Sequence, residues 1–158
     1  MTRPAPSPNA AWFSASTLAL VVAGGAVGVV ARAALTLPFG ADAHPLVVPA
    51  VTLAINLAGS FLLGVVVGAL ADRHPRLRAF LGTGALGGFT TYSAFAVQSL
   101  TTFTASPVVG LALVAVSVFG GVVAAVAGLR VGERRAADAV APGPARPASA
   151  GPAPEDAE

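Results

Sequence analysis

The sequence predicts an all-α integral membrane protein with four transmembrane helices, the third of them broken at its centre. Three observations lead there. Of the 158 residues, 55% are hydrophobic and only 10% charged, whereas a soluble domain carries about 25% charged residues. Four windows, at about 17–37, 46–70, 80–104 and 108–131, are apolar over the roughly 20 residues a helix needs to cross a bilayer. Within the third, the run GALGGFTTYSAF at 84–95 puts glycines and hydroxyls where a membrane helix is normally most apolar.

The N-terminal residues 1–16 hold MTRPAPSPNA, too rich in Pro and Ala to bury a core, and are expected to be disordered. The first span carries Gly24, Gly28 and Arg32 on one stripe. It contains an arginine and is followed by further spans, which argues against a cleaved signal peptide. Arg32 is either an anchor reaching for the interface or a fixed positive charge at a pore mouth. The loop that follows is short and punctuated by Pro and Gly.

The second span places Asn56 near mid-membrane in NLAGSFLLG, with Ser60, Gly64 and Gly68 repeating every fourth residue. Such small residues let helix backbones approach closely. The amide of Asn56 serves either as an interhelical clamp or as a donor to something passing through. In the third span, Gly84, Gly87 and Gly88 weaken the helix just ahead of Thr90 and Thr91, whose hydroxyls compete with the backbone ladder. Backbone freed at membrane depth is tolerated only where it is buried, lines a cavity or binds an ion. Tyr92 and Phe95 share the face beyond the break, as packing partners or as ring edges on one path. The fourth span carries Ser117 and the small-residue row Gly120, Ala124 and Gly128. With such short loops, helices adjacent in sequence are expected to be antiparallel neighbours. The 17–131 membrane domain is followed by residues 132–158, expected to be a disordered cytoplasmic tail.

Composition also excludes. With no cysteine, thiolate chemistry and disulfides are absent. His44 and His74 sit in loops beside prolines, with no second metal ligand at a useful spacing. No cluster of nucleophile, base and orienting group lies in the spans, so no enzyme is expected. The nine basic residues are all arginine, and eight of them fall at the N-terminus, in the second loop and in the tail, none in the first or third loop. That bias places both termini in the cytoplasm and accounts for a pI near 10.5 without nucleic acid. No Asp or Glu lies in a span, so a proton-coupled exporter of cations lacks its membrane carboxylate. The remaining groups mostly donate, which favours an anion.

GGAVGVVARAAL, TLAINLAGSFLLG and TGALGGFTTYSAF, in this order, resemble the bacterial CrcB/Fluc fluoride channels. The resemblance covers roughly residues 23–131. It implies an antiparallel, dual-topology-type dimer in the bacterial inner (plasma) membrane, in contact with lipid, that lowers cytoplasmic fluoride by passive, fluoride-specific export. It further implies a structural sodium ion that is not transported, held by the backbone carbonyls of Gly87 and Thr90. Asn56, Tyr92, Phe95 and Ser117 would line the fluoride pore, with Arg32 as the cation of the first helix. The chain departs from the family pattern at Tyr92, where Phe is usual, at Ala94, where Thr is usual, and in a fourth helix thin in polar groups.

An eight-to-zero arginine bias also sets this chain apart from a subunit inserting both ways, and predicts insertion in one orientation. The expected partner is then a second, homologous subunit of opposite bias. The alternative to a channel is a non-conducting structural membrane subunit, or a subunit active only with that partner.

Overall fold

In a computed structural model, the chain is described over residues 14–39, 44–71 and 73–140. Helix α1 (Ala15–Thr36) starts at Ser14, whose hydroxyl accepts from the Thr17 amide at 3.2 Å, satisfying one of the unpaired donors of the first turn. Helix α2 spans Val47–Leu70. After a tight turn, α3 (Pro75–Arg78) opens on proline and runs without interruption into a π-helical stretch, Ala79–Leu86, and a last α-turn, α4 (Gly87–Phe89). Thr90 and Thr91 are extended, with φ/ψ of −78°/159° and −145°/118°. Helix α5 (Tyr92–Ala105) follows, then α6 (Pro107–Val140), with proline at its first position.

Three of these helices are long and apolar enough to cross a membrane: Ala15–Thr36, Val47–Leu70 and Pro107–Ala139. With the segment from α3 to α5 between the last two, the chain is a multi-pass, all-helical membrane protein, and four spans fit it.

Glycine, rather than large side chains, makes the interior. Ile55 is the one buried large apolar side chain among the described residues, while many Leu, Val and Phe side chains are exposed. In a bilayer that outer surface costs little, because the surroundings are as apolar as leucine. Helices then hold together by close backbone approach. A Cβ on Gly64 would meet the Ala125 carbonyl, and one on Gly128 the Phe61 carbonyl, so α2 and α6 lie backbone to backbone; Gly68 and Gly132 continue the contact. Helix α1 does the same with the third segment: Gly24 faces Phe80 and Ala85, Gly28 faces Ala85 and Phe89.

Glycine position therefore chooses the closest neighbours, and the expectation that helices adjacent in sequence would pair is corrected for α1 and α2, while α5 and α6 do pack together. Helix α2 packs mainly on α6 and α1 mainly on Ala79–Leu86, while α1 and α2 barely touch. The boundaries also shift. Helix α1 begins at Ala15, inside the 1–16 segment expected to be disordered, whose residues 1–13 lie outside the described ones. Helix α6 continues to Val140, so the expected disordered tail is helical over 132–140; residues 141–158 lie outside the described ones. The first proline after α6 is Pro142, and ERRAADA before it is good helix-forming sequence.

The turn after α2 holds the one non-glycine residue with positive φ among those described, Ala71 at φ 42° and ψ −128°. Its carbonyl accepts from Arg78 Nη1 at 3.2 Å, which fastens the turn to the end of α3. Ala71→Gly is expected to stabilise the fold by about 1 kcal/mol by relieving this backbone conformation, seen as a higher thermal midpoint in detergent. Gly64→Val should do the reverse, costing about 3 kcal/mol or more as its side chain drives α2 off α6, with loss of monodisperse protein on gel filtration.

Candidate functional site

The extended Thr90–Thr91 pair leaves backbone groups that a continuous helix would have joined, and each goes somewhere specific. Thr90 folds back on the preceding turn: its amide and its Oγ1 both donate to the Leu86 carbonyl, at 3.0 and 2.9 Å. Thr91 is held from across the bundle. Its amide donates to Asn56 Oδ1 at 2.9 Å, and Asn56 Nδ2 donates to its carbonyl at 3.1 Å. One side-chain amide thus satisfies both polar groups of a peptide residue, at a depth where water does not compete. Thr91 then starts the next helix, its Oγ1 accepting from the Ala94 amide at 3.3 Å.

These assignments decide which carbonyls are left over. In an unbroken α-helix the Gly87 carbonyl takes the Thr91 amide and the Thr90 carbonyl takes the Ala94 amide. Here Asn56 takes the first amide and the Thr91 hydroxyl takes the second. Gly87 and Thr90, the two residues singled out in the sequence for their carbonyl oxygens, are among the residues 87–90 whose α-helical donors are lost at the extended pair. Of the two carbonyls between them, that of Gly88 accepts from Arg32 Nε at 3.3 Å. Arg32 is half-buried, so its guanidinium is engaged with backbone at the break rather than extended to solvent.

Beside these groups lies a pocket of about 390 Å³ that gathers six of the seven sequence-predicted site residues, Asn56, Gly87, Thr90, Tyr92, Phe95 and Ser117. Arg32 is not among its lining. Tyr92 and Phe95 stand with ring centroids 6.1 Å apart and planes tilted by 50°. Tyr92 is 81% exposed in the single subunit, so the pocket opens to the outside of the bundle on that side. Ser117 Oγ is buried and finds no hydrogen-bond partner among the described residues. Gly59, which nothing in the sequence singled out, faces the Thr90 methyl, and a Cβ there would collide with it and displace the Thr90 side chain.

The lining offers an amide N–H, hydroxyls and aromatic edges to an anion, and peptide carbonyls to a hard cation. Among the described residues, no carboxylate, histidine or basic side chain lines it. A larger cleft, about 540 Å³, lies at the far end of α2 between Ala71, Arg73 and Glu133. It holds none of the groups above.

The family described as CrcB-like protein, Camphor Resistance (CrcB), matches residues 19–129 of the chain. The chain is 42% identical over 123 residues to a protein of Leifsonia xyli subsp. xyli named Fluoride-specific ion channel FluC 2, a match covering 73% of this chain and 83% of the relative. It is 40% identical over 116 residues to Fluoride-specific ion channel FluC 2 of Bacillus subtilis, covering 72% and 86%. To Fluoride-specific ion channel FluC of Thermosipho melanesiensis it is 34% identical over 116 residues, covering 72% and 93%.

Two substitutions separate the clamp from the cap. Asn56→Leu strands the N–H of Thr91, leaves its C=O only the helical bond as N-cap of α5, and is expected to cost about 1–3 kcal/mol. Thr91→Val keeps those backbone bonds, loses the cap on Ala94 and the exposed bond to the Ser93 hydroxyl, and should cost about 1 kcal/mol. Thermal denaturation of the two variants in the same detergent reads the difference.

Proposed function

The chain belongs to the CrcB-like family, and from that premise we propose that it is a subunit of a fluoride-specific ion channel which lowers cytoplasmic fluoride by passive export. The observation that carries the proposal is the convergence of Asn56, Tyr92, Phe95 and Ser117 on one pocket beside a backbone whose hydrogen bonds are reassigned. Fluoride is small and strongly hydrated, so a path for it must replace water with donors. The second N–H of Asn56 Nδ2, not used on Thr91, the Ser117 hydroxyl and the positive ring edges of Tyr92 and Phe95 are such donors. The tyrosine adds a further O–H at the open side of the pocket.

The carbonyls of Gly87 and Thr90 suit a sodium ion, since both have lost their helical donors and sodium prefers uncharged oxygen. Bound there it would supply a fixed positive charge and tie the break to whatever faces it. Two carbonyls from one chain leave a hard cation short of ligands, and an antiparallel second subunit offering the same pair completes the set. In this reading Thr90–Thr91 lies at mid-membrane as the break of the third span, Asn56 holds the break open, and Arg32 fixes Gly88 so that its carbonyl stays out of the ion site.

The one-sided arginine distribution favours a more specific assembly. Six arginines, at 73, 76, 78, 130, 134 and 135, flank one end of α2 and α6, which orients the chain with both termini inside. The antiparallel partner is then a homologous chain with the opposite bias, and this subunit conducts in its company. A purely structural subunit is the remaining alternative, in which the pocket merely packs.

Fluoride efflux from liposomes, measured with an electrode for this chain alone and with such a partner, with and without sodium, tests the assignment. Efflux is expected from the pair, falling by about tenfold or more when sodium is replaced by a larger cation, with little from the chain alone. Asn56→Asp should abolish conduction, because it sets a negative charge beside the anion path. Unchanged efflux in that variant, or none from any assembly, would leave the structural role.

A further inference from the structure

Two buried side-chain oxygens find no hydrogen-bond partner among the described residues, Ser117 Oγ on α6 and Ser99 Oγ on α5. Ser117 lines the pocket already described. Ser99 does not, and no contact described so far uses it. It is 8% exposed, so more than nine-tenths of the residue is buried. A hydroxyl on a helix has an easy way to avoid this state, which is to turn back on a carbonyl three or four residues earlier. Thr36, Thr101 and Thr104 do so, onto Arg32, Gln98 and Thr101. Ser99 and Ser117 keep their hydroxyls for the space between helices.

Their positions along the bundle follow from the close contact where α5 hands over to α6. Gly110 lies against the backbone of Phe103, which fixes the register of the two antiparallel helices. At about 1.5 Å per residue, Phe95 is then about 12 Å from that contact along α5, Ser117 about 10 Å along α6, and Ser99 about 6 Å along α5. The order moving away from the break is therefore Phe95, Ser117, Ser99. Phe95 and Ser99 are four residues apart and share a face of α5. Thr102, 9% exposed, is the next residue on that face.

We infer that Ser99 is a further anion-binding group, a hydroxyl station beyond Phe95 and Ser117 on the face that α5 turns to α6. The inference rests on the channel reading above. An anion held by ring edges alone is weakly bound, and it can leave them inward or outward only if O–H or N–H donors wait within a few ångströms. The axial step of about 4 Å from Ser117 to Ser99 allows one hydroxyl to engage before the other lets go. Both hydroxyls being unpaired among the described residues, neither must break a bond there to do so.

The experiment compares fluoride efflux from liposomes for the wild-type assembly, Ser99→Ala and Ser99→Thr, with thermal midpoint and gel-filtration profile recorded for each. Ser99→Ala is expected to slow efflux about tenfold or more while leaving the thermal midpoint unchanged or higher, since it removes a buried hydroxyl that bonds nothing. Ser99→Thr keeps the hydroxyl and should stay within about threefold of wild type. A hydroxyl of merely structural use would give the reverse pattern, a lower midpoint with normal efflux. Wild-type efflux in Ser99→Ala, or equal loss in Ala and Thr variants, overturns the inference and leaves the channel reading standing. A silent wild-type assembly overturns the channel reading itself.

Discussion

Everything at the candidate site depends on one residue, Asn56, reaching from α2 to take both polar groups of Thr91. Backbone that leaves a helix inside hydrocarbon has to be satisfied by protein. A carboxamide does this with a single side chain, because it carries a donor and an acceptor in the spacing of a peptide. Once Thr91 is bonded to Asn56, its amide is withdrawn from Gly87, its hydroxyl is placed to cap α5, and Tyr92 and Phe95 are turned to one side. The Gly87 and Thr90 carbonyls and the two aromatic rings are thus set by the same two hydrogen bonds. Neither role foreseen for Asn56 displaces the other, since the clamp uses only one N–H of its amide.

The rest of the bundle holds that clamp at the right distance. Helix α2 is fixed by Gly64 and Gly68 against Gly128 and Gly132 of α6. The third segment is fixed by Gly24 and Gly28 of α1, on the other side. The π-helical stretch Ala79–Leu86 belongs to this second contact. Its wider turn, with Gly82 and Gly84 buried, lets α1 lie against the main chain just before the break. Such stretches are uncommon and concentrate at functional positions.

Much of this was legible in the residues, for reasons that differ from place to place. Long apolar windows announced the spans, and the glycines, the threonine pair and the lone mid-span amide marked the site, because each is costly in a membrane unless used. The pairing of Asn56 with Thr91 was not legible, since it joins residues 35 apart. Nor was the π-helix, whose register is decided by packing on α1 and not by propensity. The helical start of the tail was hidden by reading 132–158 as one composition, although its prolines begin only at Pro142. Ser99 and Gly59 gave no signal, as a serine or glycine in a helix is ordinary until its neighbours are known.

The lining of the pocket also settles what the site does not sense. Among the described residues that line it there is no carboxylate, imidazole or amine, the groups whose charge can turn over between about pH 5 and 8. Acid outside a cell drives fluoride inward as the neutral acid, which needs no protein to cross a bilayer. In the proposed channel, a return path through these described groups would keep the same charge over that range, so inflow would rise with acidity without a matching change in the lining. A proposed pore lined this way would act as a constant leak for the anion, with direction and magnitude left to the gradients on either side.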